Sequence, residues 1–208
     1  MLRWGKLEVS GGFLLVAAVL FYFDTGNILP LAAFAAGAHE LGHYAALRLL
    51  GGDIVRFRLT AVGGDMELDR SRPLSYLGEL LSITAGPLVN LAVAVLSAKL
   101  AGGREWLYVL SGLSLSLGLF NLLPVYPLDG GRTLLLLLTG LLPPLWAARL
   151  TRWCSAVVVA GVLVVGGFLF FQSPGNFTLL VMGLWLLTGL IPPEARKKEG
   201  FHRKRACN

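Results

Sequence analysis

The chain has 208 residues, of which 55% are apolar and only 14% charged, with a net charge of +6. A soluble domain carries about 25% charged residues, so this chain has too little polar surface to cover itself in water. Soluble globular classes, disorder and a nucleic-acid partner are thereby excluded, and the composition points to a chain embedded in lipid.

A helix needs about 20 apolar residues to cross the hydrocarbon core. In chain order the candidate spans are 7–23, 28–50, 76–98, 106–123, 153–171 and 177–191, with a further apolar stretch at 133–147. The first span has Arg3 and Lys6 ahead of it but no small-residue cleavage site before Asp24, so it reads as retained. Six spans put both termini on one side. With the N-terminus cytoplasmic, sixteen of the eighteen Lys and Arg fall in inside segments and only Lys99 and Arg104 fall outside. The expected fold is an all-α polytopic membrane protein of six transmembrane helices in a bacterial-type cell membrane, with both termini cytoplasmic. It forms a single domain over 1–193, followed by a basic tail at 194–208. The tail reads as a positive-inside anchor or as a patch for anionic lipid or a partner. Cys154 lies in an apolar run and Cys207 one residue from the end, so no disulfide is implied.

One stretch departs from helical patterning. Residues 53–69 alternate apolar and polar side chains around Gly63-Gly64, a two-residue turn signal, and predict a small β-hairpin on the cytoplasmic side. That turn sets Val62 opposite Asp65, Thr60 opposite Glu67 and Arg58 opposite Asp69. The hairpin serves either as a connection covering helix ends or as an edge that pairs with an extended peptide.

The second span carries three ionisable residues, His39, Glu40 and His43, near its middle. Each charged group there costs roughly 2.5–3.5 kcal/mol on insertion scales, so the cluster needs a compensating partner. A four-residue spacing puts both imidazoles on one helical face, within reach of one metal ion. Glu40 adjoins the first histidine and is placed to act as a general base toward water. Shuffling this composition produces the H-E-x-x-H pattern about once in a thousand chains, so the spacing is informative.

A catalytic zinc takes three protein ligands and leaves one position open. His202 sits in the basic tail, and Asp129 is the better third ligand. It lies in a segment running from Asn121 to Arg132 whose Pro124 and Pro127 cannot sit in a regular helix, so the metal-site helix is broken there. Open backbone at membrane depth is tolerated only against protein or a wet cavity. Gly130 and Gly131 admit another backbone or a substrate, and Asp129 also fits as N-cap of an apolar helix over 133–142. In the third span Thr84-Ala85-Gly86-Pro87 allows close packing. Asn90 in that span either holds the metal-site helix or positions substrate, and with Asn121 and Arg132 it is a candidate to line a polar gap.

These motifs resemble the site-2 protease family of intramembrane zinc metalloproteases. The resemblance rests on His39-Glu40-Leu41-Gly42-His43, the Ala85-to-Asn90 stretch and the segment from Asn121 through Leu128-Asp129-Gly130-Gly131. Within the family it is most similar to the compact branch containing the sporulation peptidase that processes pro-sigma-K. No CBS module or PDZ-sized insertion is expected. The resemblance implies zinc held by His39, His43 and Asp129, with Glu40 as general base and acid, and it implies that Asn121 stabilises the oxyanion or holds the substrate backbone; Pro127 and Asn90 stand beside it as candidate substrate-binding residues. The family's second proline stands two residues after the first, where this chain has Tyr126 and then Pro127. The expected activity is hydrolysis of peptide bonds in a transmembrane or membrane-associated protein, under a membrane-bound regulator. A zinc-dependent cleavage assay separates this from a non-catalytic scaffold or chaperone that keeps a structural zinc.

Overall fold

Apolar runs punctuated by Gly, Pro and Asp fold into helices in a computed structural model that describes residues 2–4, 7–60, 63–68, 73–172 and 177–190. The basic tail and Ala61, Val62 and Asp69 lie outside the described residues. The chain divides into two units, residues 1–121 and 122–208.

The first unit contains strands β1 (Leu2–Trp4) and β2 (Leu7–Val9), then helices α1 (Gly11–Phe23) and α2 (Ile28–Leu49). Strands β3 (Ile54–Thr60) and β4 (Gly63–Leu68) follow, and helices α3 (Tyr76–Leu100) and α4 (Glu105–Asn121) complete it. Both carboxylate oxygens of Asp24 accept from the first amides of α2, Ile28 and Leu29, each at 2.9 Å. Pro30 sits in the first turn of α2, where its missing N–H has no partner to lose. Ser75 caps α3 by accepting from the Gly78 amide at 3.1 Å.

The buried faces are small and the outer faces large. In α3 the buried residues Gly78, Ser82, Gly86, Asn90 and Ala94 recur every fourth position, while Leu77 and Leu100 are about two-thirds exposed (66% and 69%). Helices without a hydrophobic drive between them pack through small residues in this way, with their apolar bulk turned to lipid. Helices Tyr76–Leu100 and Pro144–Gln172 are long and apolar enough to cross a membrane.

The structure corrects the strand expectations. The four strands form one sheet in the order β1-β2-β3-β4, so the hairpin is joined by two N-terminal strands. β1 and β2 are antiparallel, β2 runs parallel to β3, and β3 and β4 are antiparallel. Residues 7–9 therefore belong to the sheet and not to the first span, and α1 starts at Gly11. The hairpin register also differs from the expected one: Thr60 pairs with Gly63, Arg58 with Asp65 and Arg56 with Glu67. Gly63 and Gly64 lie inside β4 and do not form the turn. Arg56 and Arg58 also find an acid on β2: the buried Glu8 carboxylate takes their Nε groups at 3.5 Å and 3.2 Å, respectively.

The second unit holds helices α5 (Asp129–Leu141), α6 (Pro144–Gln172) and α7 (Thr178–Gly189). The apolar stretch 133–147 is divided between α5 and the start of α6, which begins at Pro144 and not at 153. Proline is well suited to a first helical position, and Pro143-Pro144 separates the two helices. In a chain with Cys154 and Cys207 replaced by serine, a Phe57→Cys/Met66→Cys pair should cross-link readily under mild oxidation. A Thr60→Cys/Glu67→Cys pair, opposed only in the other register, should not.

Candidate metal centre

The centre is built where α2 crosses α3. Ala35, His39 and Gly42 form the buried face of α2, with His43 half-buried beside them. Gly42 lies so close to α3 that a Cβ there would come within 2.9 Å of the Ala85 carbonyl oxygen. Across from it, a Cβ on Gly86 would run into His43 Nε2, so only glycine leaves room for the imidazole. The two glycines let the backbones approach and seat the His43 ring in the gap.

The rings meet edge to face, with centroids 4.7 Å apart, and the two Nε2 atoms lie 3.1 Å from each other. The far nitrogen of each ring faces α3. His43 Nδ1–H donates to the Ser82 carbonyl at 2.8 Å, and His39 Nδ1 lies 3.2 Å from the side-chain amide of Asn90. Asn90 is fully buried and His39 nearly so (6% exposed). Paired imidazoles with converging Nε2 atoms and occupied Nδ1 atoms have the donor set and outer contacts of a zinc site.

Glu40 is half-buried on the neighbouring face of α2. Strand β4 lies directly against it: a Cβ on Gly64 would stand 2.7 Å from the Glu40 carboxyl carbon. Gly64 thus serves a close approach between a strand and a carboxylate, not a hairpin turn.

In the second unit, residues 122–128 leave the helical path, as Pro124 and Pro127 require. Ser155 of α6, fully buried, accepts from the Tyr126 amide at 3.0 Å and lies 3.3 Å from the Pro124 carbonyl. Pro127 is half-buried, and Gly189 of α7 leaves room for its ring, since a Cβ there would come 2.5 Å from Pro127 Cδ. A Cβ on Gly130 or Gly131 would clash with the backbone of Leu122 or Val125, respectively, so these glycines admit the chain's own open segment. Asp129 is the first residue of α5 and half-buried. Leu128 occupies the cap position and no side chain caps the helix, which corrects the N-cap expectation for Asp129. Asn121 closes α4, its amide donating to the Leu117 carbonyl at 3.0 Å, and Arg132 is exposed.

Ser82, Gly64 and Ser155 carried no functional signal in the sequence. Ser82 acts through its backbone carbonyl, which no residue type encodes. Gly86→Ala should displace the His43 ring and lower metal content by elemental analysis, whereas Gly112→Ala, in open space on α4, should leave it unchanged.

The model of peptidase family M50 matches residues 97–165. The chain is 37% identical over 103 residues to a zinc metalloprotease of Methanocaldococcus jannaschii, covering 46% of this chain and 30% of the relative. It is 31% identical over 170 residues to the stage IV sporulation protein FB of Bacillus subtilis, covering 79% of this chain and 57% of that protein. The chain thus spans from under a third to a little over half of these relatives. The solved site-2 protease of Methanocaldococcus jannaschii superposes with a TM-score of 0.66 at 24% identity, over 91% of this chain and 92% of the other, and shows the fold. The family match over residues 97–165 and these relatives agree: the chain carries a peptidase family M50 domain.

Proposed function

We propose that this chain is an intramembrane zinc metalloprotease, with zinc held by His39, His43 and Asp129 and with Glu40 as the catalytic residue. The observation that carries the proposal is the His39–His43 pair, whose Nε2 atoms converge to 3.1 Å while α3 engages both Nδ1 atoms. Asp129 joins them on the chemistry of its position, a carboxylate at the start of α5 that does not cap its helix.

Zinc bound there would polarise the scissile carbonyl and make water acidic near neutral pH. Glu40 accepts the proton of the attacking water and passes it to the leaving amine, as general base and then general acid. Its place beside an imidazole and under a strand keeps it close to the reacting atoms and partly shielded from solvent. Asn121 supplies an amide for the developing oxyanion, and Pro127, in the open segment before Asp129, contributes an apolar contact toward substrate. A helical substrate hides its peptide bonds and must be extended before it is cut. Strand β4 supports that step: it is the outer strand of its sheet, and its Gly64 lies against the Glu40 carboxylate, so a substrate strand added to it runs past the base.

Six spans with both termini cytoplasmic follow from the sixteen-to-two split of cations, and the small-in, large-out packing of α3 supports lipid around the bundle. Cleavage then falls near the cytoplasmic side. The substrate class is a membrane-tethered protein, such as a sigma factor held as a pro-form, with a membrane-bound regulator controlling access.

Glu40→Gln should retain zinc and lose cleavage of a membrane-embedded substrate by at least about a hundredfold. Preserved turnover in the purified variant overturns the assignment. Asp129→Ala should lower zinc content measured by elemental analysis, and unchanged stoichiometry moves the third ligand elsewhere.

A further inference from the structure

Which nitrogen of each histidine carries the proton decides whether the pair can bind a metal. A neutral imidazole has one N–H and one lone pair, and the partner of the far nitrogen sets which is which. For His43 the partner is a backbone carbonyl, Ser82 O at 2.8 Å, which can only accept. His43 therefore carries its proton on Nδ1 and presents a lone pair at Nε2. For His39 the partner is the side-chain amide of Asn90, 3.2 Å from Nδ1, and an amide has a donating end and an accepting end.

The two ends have opposite consequences. With Nδ2 toward His39, Nδ1 must accept and the proton sits on Nε2, where the metal lone pair is needed. In that arrangement Asn90 Oδ1 is buried with no hydrogen-bond partner. A buried unsatisfied carbonyl costs about 1–3 kcal/mol. A half-turn of the amide exchanges two ends of nearly the same shape, puts Oδ1 on His39 Nδ1–H and places the lone pair at Nε2. The rotation gives Oδ1 a donor, turns Nδ2 to the position Oδ1 held and completes the ligand pair. Asparagine is suited to this because it is uncharged, and full burial inside a stripe of small residues on α3 holds it in place.

Resting on the proposed zinc site, we infer that Asn90 is the positioning residue of His39: its amide carbonyl accepts the His39 Nδ1 proton and holds the tautomer whose Nε2 binds zinc. Asn90 then acts through His39, as the Ser82 carbonyl acts through His43, and α3 forms the outer shell of both ligands. This gives Asn90 a role toward the metal in place of direct substrate contact.

The test uses the full chain in lipid nanodiscs, with zinc as the only added ligand. Zinc affinity is read by competition with a chelator, and histidine tautomers by 15N NMR. Zinc-loaded wild type should show His39 protonated at Nδ1. Asn90→Leu should weaken zinc binding by about 10- to 100-fold, the usual effect of losing such a partner. Asn90→Asp presents an acceptor whichever way it faces and should stay within a few-fold of wild type. A His39 proton at Nε2, wild-type affinity in Asn90→Leu, or equal losses in Asn90→Asp and Asn90→Leu each overturn the inference. If Asn90→Leu does not fold, the wild-type tautomer still decides. Failure of the zinc site itself is distinct: wild type would not bind zinc stoichiometrically, or His39→Ala would bind it unchanged.

Discussion

The structure of the first unit depends on how closely α2 approaches α3. In lipid no hydrophobic effect drives two helices together, so association rests on van der Waals contact and hydrogen bonds that only small residues permit. Gly42 and Gly86 remove the side chains that would keep the backbones apart, and His43 takes up the space at Gly86. Once the helices are that close, the Ser82 carbonyl and the Asn90 amide fall beside the two Nδ1 atoms. The packing that holds the helices together is thus the same packing that orients the imidazoles. A larger residue at position 86 would disturb both.

Glu40 meets a comparable constraint from the sheet. Glycine at position 64 lets β4 lie on its carboxylate, and the strand is held in register through β3, whose Arg56 and Arg58 reach Glu8 on β2. An N-terminal strand thereby helps fix the hairpin that faces the proposed base. In the second unit the open segment 122–128 is fixed by different means, with α6 contributing the Ser155 hydroxyl, α7 the space at Gly189 and α5 the two glycines after Asp129. The prolines open the backbone, and these contacts satisfy and confine it.

Much of this was legible in the residues because apolar length and metal-ligand spacing are local signals. The helices α2, α3 and α4 start and stop within a few residues of their expected bounds, set by Asp24, Ser75 and Pro124. The H-E-x-x-H spacing brought His39 and His43 together as expected, because a four-residue step on a helix is geometry and not context. The hairpin register was not legible. Gly63-Gly64 carries a turn signal, but Gly64 is needed against Glu40. The contact of Arg58 with Glu8, fifty residues away in the chain, was equally hidden. Asn90 left two roles open because its partner, His39, is set by helix crossing and not by sequence neighbourhood. Asp129, read first as a metal ligand, also fitted as a cap because short acidic residues cap helices, and the structure gives the cap position to Leu128.

A zinc centre that hydrolyses peptides needs three protein ligands and an open position, whereas a structural zinc is closed by four. X-ray absorption at the zinc edge of the purified, zinc-loaded chain measures that difference directly. The predicted shell is two imidazole nitrogens, one carboxylate oxygen and one water oxygen, with the carboxylate contribution lost in Asp129→Ala. A shell of four protein ligands, or one containing sulfur, would contradict it.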